Sequence, residues 1–242
     1  MKVLITGGSG ALGTSLKKVF KNAYCPTRKE MDITKPDSVN KTILSYKPDT
    51  LIHAAALVGI RECEENKRKA WLTNLGGTQN VVNALKKLNN DCYLIHMSTA
   101  CVFEGEHKKF YAEDDIPAPK NYYSVTKLCG EVVTRQYTNT CIIRTNFAPK
   151  QQWKYPKAFI DRFGTYLFTG QVAKGIFDVC KKKEKGIIHI TGDKRMSMYE
   201  LALLAGSKNI CKMSLDEYEG PPLTVDMSLS TKRWKKYKIS SQ

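Results

Sequence analysis

Lys2-Val3-Leu4-Ile5-Thr6-Gly7-Gly8-Ser9-Gly10-Ala11-Leu12-Gly13 is the stretch whose reading decides the fold. A short aliphatic run enters a turn with glycine at positions 7, 10 and 13, and Leu12, Leu16, Val19 and Phe20 then recur at helical spacing. Strand, glycine turn and helix in that order aim backbone N–H groups at an anion in front of the helix. The glycines permit a tight turn, close approach of backbone to a pyrophosphate, and close packing of helix on strand. Gly7, Ser9, Gly10, Ala11, Leu12 and Gly13 are therefore expected to line a dinucleotide site.

The same alternation continues outward. Residues 23–25 read as a weak second strand, and Pro36 stands at the tolerated first turn of a helix whose stripe is Val39, Ile43 and Leu44. Strands are expected over 50–56, 92–97, 141–144 and 187–191, with helices over roughly 70–88 and 123–137 and around 177–180. Short apolar strands separated by amphipathic helices require a parallel sheet covered on both faces. The expected class is α/β, a Rossmann-type doubly wound parallel sheet with a small C-terminal substrate-binding lobe. Residues 1–147 form the NAD(P)-binding domain, completed by about 170–191. Residues 148–169 and 192–242 form the lobe. They are rich in aromatics and proline (Trp153, Tyr155, Pro156) and follow the late strands, at whose carboxyl ends open sheets bind ligands.

Composition narrows the classes. The chain has 242 residues, 42% of them hydrophobic, which is enough for a large core. Nothing approaches the ~18 uninterrupted apolar residues of a membrane helix, so no membrane partner is expected. A strand begins directly after Met1-Lys2, so no signal peptide is expected. The eight cysteines occur singly, without Cys-x-x-Cys or Cys/His spacing, so no metal is expected, and Cys92, Cys141 and Cys180 read as small core hydrophobes. A reducing, cytoplasmic location follows. The net charge of +16 is spread over helix faces. Its one dense run, Lys232 to Lys238, reads as a solvated helix face, and nucleic acid is not an expected partner. Phosphorylated ligands suit the positive field.

Two further features carry chemistry. Tyr123 and Lys127 are four residues apart on an expected helix, so both side chains share a face. A neighbouring ammonium favours tyrosinate and is expected to draw the phenol pKa below its usual value of about 10. Such a phenol exchanges a proton with a carbonyl or an alcohol. The second feature is Cys25-Pro26-Thr27-Arg28-Lys29, where an NAD site usually carries an acid at the end of the second strand. A hydroxyl and two cations suit a 2′-phosphate instead, so NADP(H) is favoured over NAD(H), with Arg28 as its reader. Glu30 would reverse that preference if it faced the ribose. Asp32 and Ile33 are placed beside the adenine, although Asp32 or Thr34 could equally cap the helix at Pro36.

These residues, with Met31-Asp32-Ile33-Thr34, His53-Ala54-Ala55-Ala56, Asn74 to Val81, Ser98-Thr99, Glu113 to Asn121, Tyr123 to Glu131 and Pro222 to Lys232, resemble the extended short-chain dehydrogenase/reductases. Within them the chain is similar to the dTDP-4-dehydrorhamnose reductase-like branch, nearly end to end. The resemblance implies that Tyr123 protonates the oxygen of a keto-sugar as hydride arrives. Lys127 would hold the nicotinamide ribose, and Thr99, or failing it Ser98, would hydrogen-bond the substrate oxygen. It implies that Ala54, Ala55 and Ala56 leave room for the cofactor and that Asn74 braces the helix behind it. Where the branch carries Asp-Tyr against the sugar, this chain has Ala100-Cys101, which leaves the sugar unspecified. By position, Asn146, Trp153 and Arg162, with Arg144 and Lys150, are expected to grip the nucleotide diphosphate or stack its base. The chain is shorter than is usual in the branch, so a trimmed lobe is expected. The implied function is NADPH-dependent reduction of a nucleotide-linked 4-keto-6-deoxysugar. The alternatives are a nucleotide-sugar epimerase or dehydratase with tightly held NAD, or a non-catalytic NADP-binding regulatory subunit such as the similar beta subunit of methionine adenosyltransferase. A homodimer through the long helices is plausible for such a chain.

Overall fold

The computed structural model describes residues 1–88, 90–106 and 108–240. Five strands, β1 (Val3–Thr6), β2 (Thr50–His53), β3 (Tyr93–Met97), β4 (Thr140–Thr145) and β5 (Gly186–Ile190), lie side by side in that order, every pair parallel. Every residue of the first four is buried. The pleat sorts them onto two faces. Val3, Ile5, Ile95 and Ile143 belong to one apolar cluster with α1 (Ala11–Val19) and α5 (Thr169–Lys182). Leu4, Leu51 and Leu94 belong to the other with α2 (Pro36–Tyr46), α3 (Gly77–Leu88) and α4 (Tyr122–Thr134). This is the doubly wound α/β architecture expected from the alternation, and Cys92, Cys141 and Cys180 are buried in it as expected. Among the described residues no helix is long and apolar enough to cross a membrane.

Several elements differ from the expectation. The weak second strand is a single parallel bridge between Tyr24 and Leu4, with Tyr24 N donating to Val3 O and Ile5 N to Tyr24 O. The next rung would need an N–H at position 26, which is proline. Even so, the bridge puts the chain on the far side of β1 from β2, so the winding reverses at β1 and a crevice opens at its carboxyl end. The long helix over 70–88 is regular only from Gly77. The preceding Trp71–Gly76 is a π-helical stretch that follows a four-residue turn of helix, Lys67–Ala70. At Pro36 neither Asp32 nor Thr34 caps the helix; the N-cap is Lys35 without a side-chain bond, and Asp32 Oδ1 instead accepts from Thr34 N and Oγ1.

Small sheets complete the chain. Phe163–Gly164 pairs with Met196–Ser197 and Asp226–Met227, and Lys157–Phe159 with Cys211–Met213. Asp226 organises this region: it is fully buried, pairs with Arg195, and accepts from Lys108 N and from Ser228 N and Oγ. The basic run near the end is not a helix. Arg233 donates to the Lys185 and Ile187 carbonyls, Lys232 pairs with Asp114, Lys235 with Asp178, and Tyr237 bridges to Gly192.

Beneath the crevice two histidines are buried in the sheet, their rings 5.6 Å apart. Thr78 spends its hydroxyl hydrogen on Asn74 O at 2.6 Å, so His53 Nε2 donates to Thr78, and His53 Nδ1 accepts from Thr6 at 2.8 Å. That ring is satisfied only when neutral. Burial, with Lys127 adding to it, holds the His53 pKa down at about 3, and His96 is likewise held well below its usual value. An unfolded His53 binds a proton near pH 6.5 and the folded one does not, so stability is full above that pH and falls as the pH drops below it. The expected loss is roughly 1.4 kcal/mol per pH unit from His53 alone. Urea midpoints at pH 7 and pH 5 test this; a midpoint no lower at pH 5 would contradict the assignment.

Candidate active site

A cleft of about 410 Å³ lies at the carboxyl ends of β1, β2 and β3. Its first wall is the glycine turn. Gly7 has φ +74, and a Cβ there would stand 2.7 Å from Ala55 N; a Cβ on Gly13 would stand 2.2 Å from Gly7 O. Turn, helix and β2 loop are thus in backbone contact, and side chains are excluded from the cradle. The N-cap of α1, Gly10, makes no side-chain bond and the first turn holds no acid, which leaves its N–H groups to an anion. Ser9, Ala11 and Leu12 line the same wall, and Ala54, Ala55 and Ala56, against the turn, line the cleft beside it.

At one end stand Arg28, Asp32 and Ile33. Arg28 is exposed and its Nε is 3.6 Å from Asp32 Oδ2. Burial opposes ionisation of Asp32, but the Thr34 hydrogen bonds and Arg28 outweigh it and hold the carboxyl below its usual range. Glu30, the acid that could have reversed the cofactor preference, does not line the cleft; its carboxylate accepts from Thr27 N at 2.7 Å.

At the other end stand Ser98, Tyr123 and Lys127. Asn121 caps α4, its side chain accepting from Ser124 N at 3.0 Å and donating to Pro222 O at 3.0 Å. That cap starts the helix one residue before Tyr123 and turns the tyrosine and Lys127 into the cleft. Thr99, two residues after β3, caps the short turn Ala100–Val102, accepting from Cys101 N at 3.2 Å. Its hydroxyl lies near enough to the Tyr123 phenol to favour the ionised form, although Thr99 itself does not line the cleft. The structure therefore brings together the tyrosine, the lysine and the strand-end hydroxyl. Electrostatically it departs from the expectation. Lys127 is buried and donates to Met97 O at 2.6 Å. Burial raises the Tyr123 pKa, the Cys101 thiol adding to it and the Thr99 hydroxyl opposing it, so the phenol is not drawn down. Burial also lowers Lys127 to about 8, against the pull of Glu131.

Other expected residues lie elsewhere. Asn74 does not line the cleft; its amide bonds Leu57 N, Leu57 O and Thr126 Oγ1 and braces the loop against α4. Ser98 lines the cleft, but its hydroxyl donates to Glu131 Oε1 at 2.5 Å. Ala100 is fully buried. Asn146 donates to Met227 O, Arg162 to Thr224 O, and the Trp153 indole to Lys157 O, and none of the three lines the cleft. Arg144 is buried in a two-pronged pair with Glu131, at 2.9 and 2.8 Å. Glu131 was only part of a motif in the sequence; its place four residues after Lys127, on the same helix face, is the signal that could have marked it.

A family model, the RmlD substrate binding domain, matches residues 1–149. The spore coat polysaccharide biosynthesis protein SpsK of Bacillus subtilis is 30% identical over 223 residues, covering 83% of this chain and 77% of that protein. A dTDP-4-dehydrorhamnose reductase of Aggregatibacter actinomycetemcomitans is 27% identical over 241 residues, covering 89% and 81%. Among solved structures, dTDP-4-dehydrorhamnose reductase from Bacillus anthracis in complex with NADP superposes with a TM-score of 0.86 at 23% identity, over 95% of this chain and 91% of that one. Together with the glycine cradle and the doubly wound sheet, these matches place the chain in the RmlD substrate binding domain family of Rossmann-fold proteins.

Proposed function

We propose that the chain is an NADPH-dependent oxidoreductase of the extended short-chain dehydrogenase/reductase type that reduces a nucleotide-linked 4-keto-6-deoxysugar. The observation that carries this reading is one cleft that holds a glycine cradle closed to side chains together with Tyr123 and Lys127, with the Thr99 hydroxyl beside the phenol. The relatives named for reduction of dTDP-linked sugars, and the similar fold that holds NADP, support the substrate class and the cofactor.

The donor set fits a pyrophosphate-bearing dinucleotide. The free N–H groups at the start of α1 would take the pyrophosphate, the three alanines after β2 leave room beside it, and Arg28 would take a 2′-phosphate. The bound reduced nicotinamide supplies hydride. The chain supplies the rest. Thr99 fixes the substrate oxygen beside the phenol, and Tyr123 donates its proton to that oxygen as it becomes an alkoxide. The phenol is protonated at neutral pH, as a proton donor in the reductive direction must be. Lys127, which lines the same end of the cleft, would hold the ribose side of the site.

Arg28→Ala is expected to weaken NADPH at least fivefold and to leave NADH within about twofold, because it removes a charge-assisted contact to the extra phosphate. Dissociation constants for both cofactors check this, and equal losses would count against the phosphate assignment. The substrate class is tested by thermal shift across nucleotide-sugars with NADPH present, since a specific ligand stabilises by mass action. A shift with a dTDP-linked deoxysugar is expected. No shift with any nucleotide-sugar would count against the reading.

A further inference from the structure

The cleft continues past Arg28. A second groove of about 490 Å³ adjoins it, and Arg28, Thr34 and Thr73 line both. The groove shares no lining with the Ser98–Tyr123–Lys127 end. Its far wall is the segment from Glu65 to Lys69 together with Leu72. Cations enter from two places that are distant in sequence: Arg28 from the loop after Tyr24, and Lys67, Arg68 and Lys69 from the turn before the π-helical stretch.

The cations of that turn are not equivalent. Lys69 is engaged with Glu62 at 2.8 Å. Lys67 lies 3.6 Å from Glu64 and over the Tyr122 ring. Arg68 is exposed and has no carboxylate within salt-bridge distance among the described residues. Arg28 keeps only the long 3.6 Å contact to Asp32. One groove is therefore lined by two guanidinium groups, with the Glu65 carboxylate on the wall beside Arg68, and two guanidinium forks in one groove can grip a phosphate dianion.

We propose that this groove seats the phosphomonoester at the adenosine end of the dinucleotide, with Arg28 and Arg68 as its two guanidinium groups. The assignment rests on the dinucleotide reading of the cleft given above. It adds a specificity residue from the segment after β2, where no sequence pattern marks one.

The test is equilibrium binding of NADPH and NADH, followed by nicotinamide fluorescence, to the parent chain and to Arg68→Gln, Arg68→Lys and Arg28→Ala. Arg68→Gln is expected to raise the NADPH dissociation constant about tenfold, the size of one charge-assisted contact, and to leave NADH within about twofold. The lysine variant is expected to fall between, since it keeps the charge and loses the fork. 2′-AMP is expected to displace NADPH from the parent chain better than 5′-AMP or inorganic phosphate at equal ionic strength, and to lose that advantage in Arg68→Gln. Unchanged NADPH affinity in Arg68→Gln, or equal losses for both cofactors, overturns the proposal. So does inorganic phosphate matching 2′-AMP, which marks a general anion site. A parent chain that binds neither dinucleotide overturns the reading of the cleft and this inference with it. A parent that binds NADPH and responds to Arg28→Ala but not to Arg68→Gln overturns this inference alone.

Discussion

Tyr123→Phe is expected to cut turnover of the keto-sugar at least a hundredfold and to leave NADPH affinity within about twofold. The substitution removes one oxygen. The ring packs against the main apolar cluster and stays in place, so the fold and the cradle are untouched. What disappears is the proton donor that stands beside the Thr99 hydroxyl. Positioned acid catalysis is worth about 10² to 10⁴ in rate, and nothing else among the residues lining the cleft replaces it: Lys127 is turned to the Met97 carbonyl and the Ser98 hydroxyl to Glu131. Steady-state kinetics with saturating NADPH, alongside cofactor titration, checks both halves. A phenylalanine variant that retains more than about a tenth of the parent turnover would mean that another group delivers the proton.

Glu131→Gln is expected to destabilise the fold by about 3–5 kcal/mol, enough to leave many domains unfolded. Glu131 and Arg144 have side chains 0% and 1% exposed, and their two contacts are 2.9 and 2.8 Å. Ser98 adds a third donor to the same carboxylate, and the guanidinium lies 4.9 Å from the centre of the Phe103 ring. A glutamine offers one acceptor where two are used and leaves the arginine charge buried without its counter-ion. The cost is therefore that of an uncompensated charge rather than of one hydrogen bond. Urea unfolding measures it. The double variant Glu131→Gln with Arg144→Met is expected to recover part of the loss, because no buried charge is then left alone. A single-variant loss below about 1 kcal/mol would contradict this account of the pair. Glu131 also supports the charge of Lys127, so the arrangement links the core to the cleft.

The fold was legible because local signals agreed. A strand, a glycine turn and a helix stripe fall in one short stretch, and the later strands are continuous apolar runs, as a sheet covered on both faces requires. What was lost depended on partners distant in sequence. Tyr24 forms one bridge rather than a strand because Pro26 removes the next donor, a consequence visible only once pairing with β1 is known. The pairing of Tyr123 with Lys127 on one face was legible from spacing, but the direction of the tyrosine pKa was not. Burial in the folded chain sets it, and the Cys101 thiol, distant in sequence, adds to it. Asn146, Trp153 and Arg162 looked free to meet a ligand because sequence does not reveal which carbonyls in the small sheets need donors; each has one. The Arg144–Glu131 pair joins β4 to α4, and no periodicity connects those positions.

The most direct test of the central claim is to mix the purified chain with NADPH and a dTDP-linked 4-keto-6-deoxyhexose, following the near-ultraviolet absorbance of the reduced nicotinamide and the sugar product together. The account predicts that one NADPH is consumed for each 4-hydroxy sugar formed. Conversion of the sugar with no loss of absorbance would contradict it and would mark the cleft as one that returns its hydride.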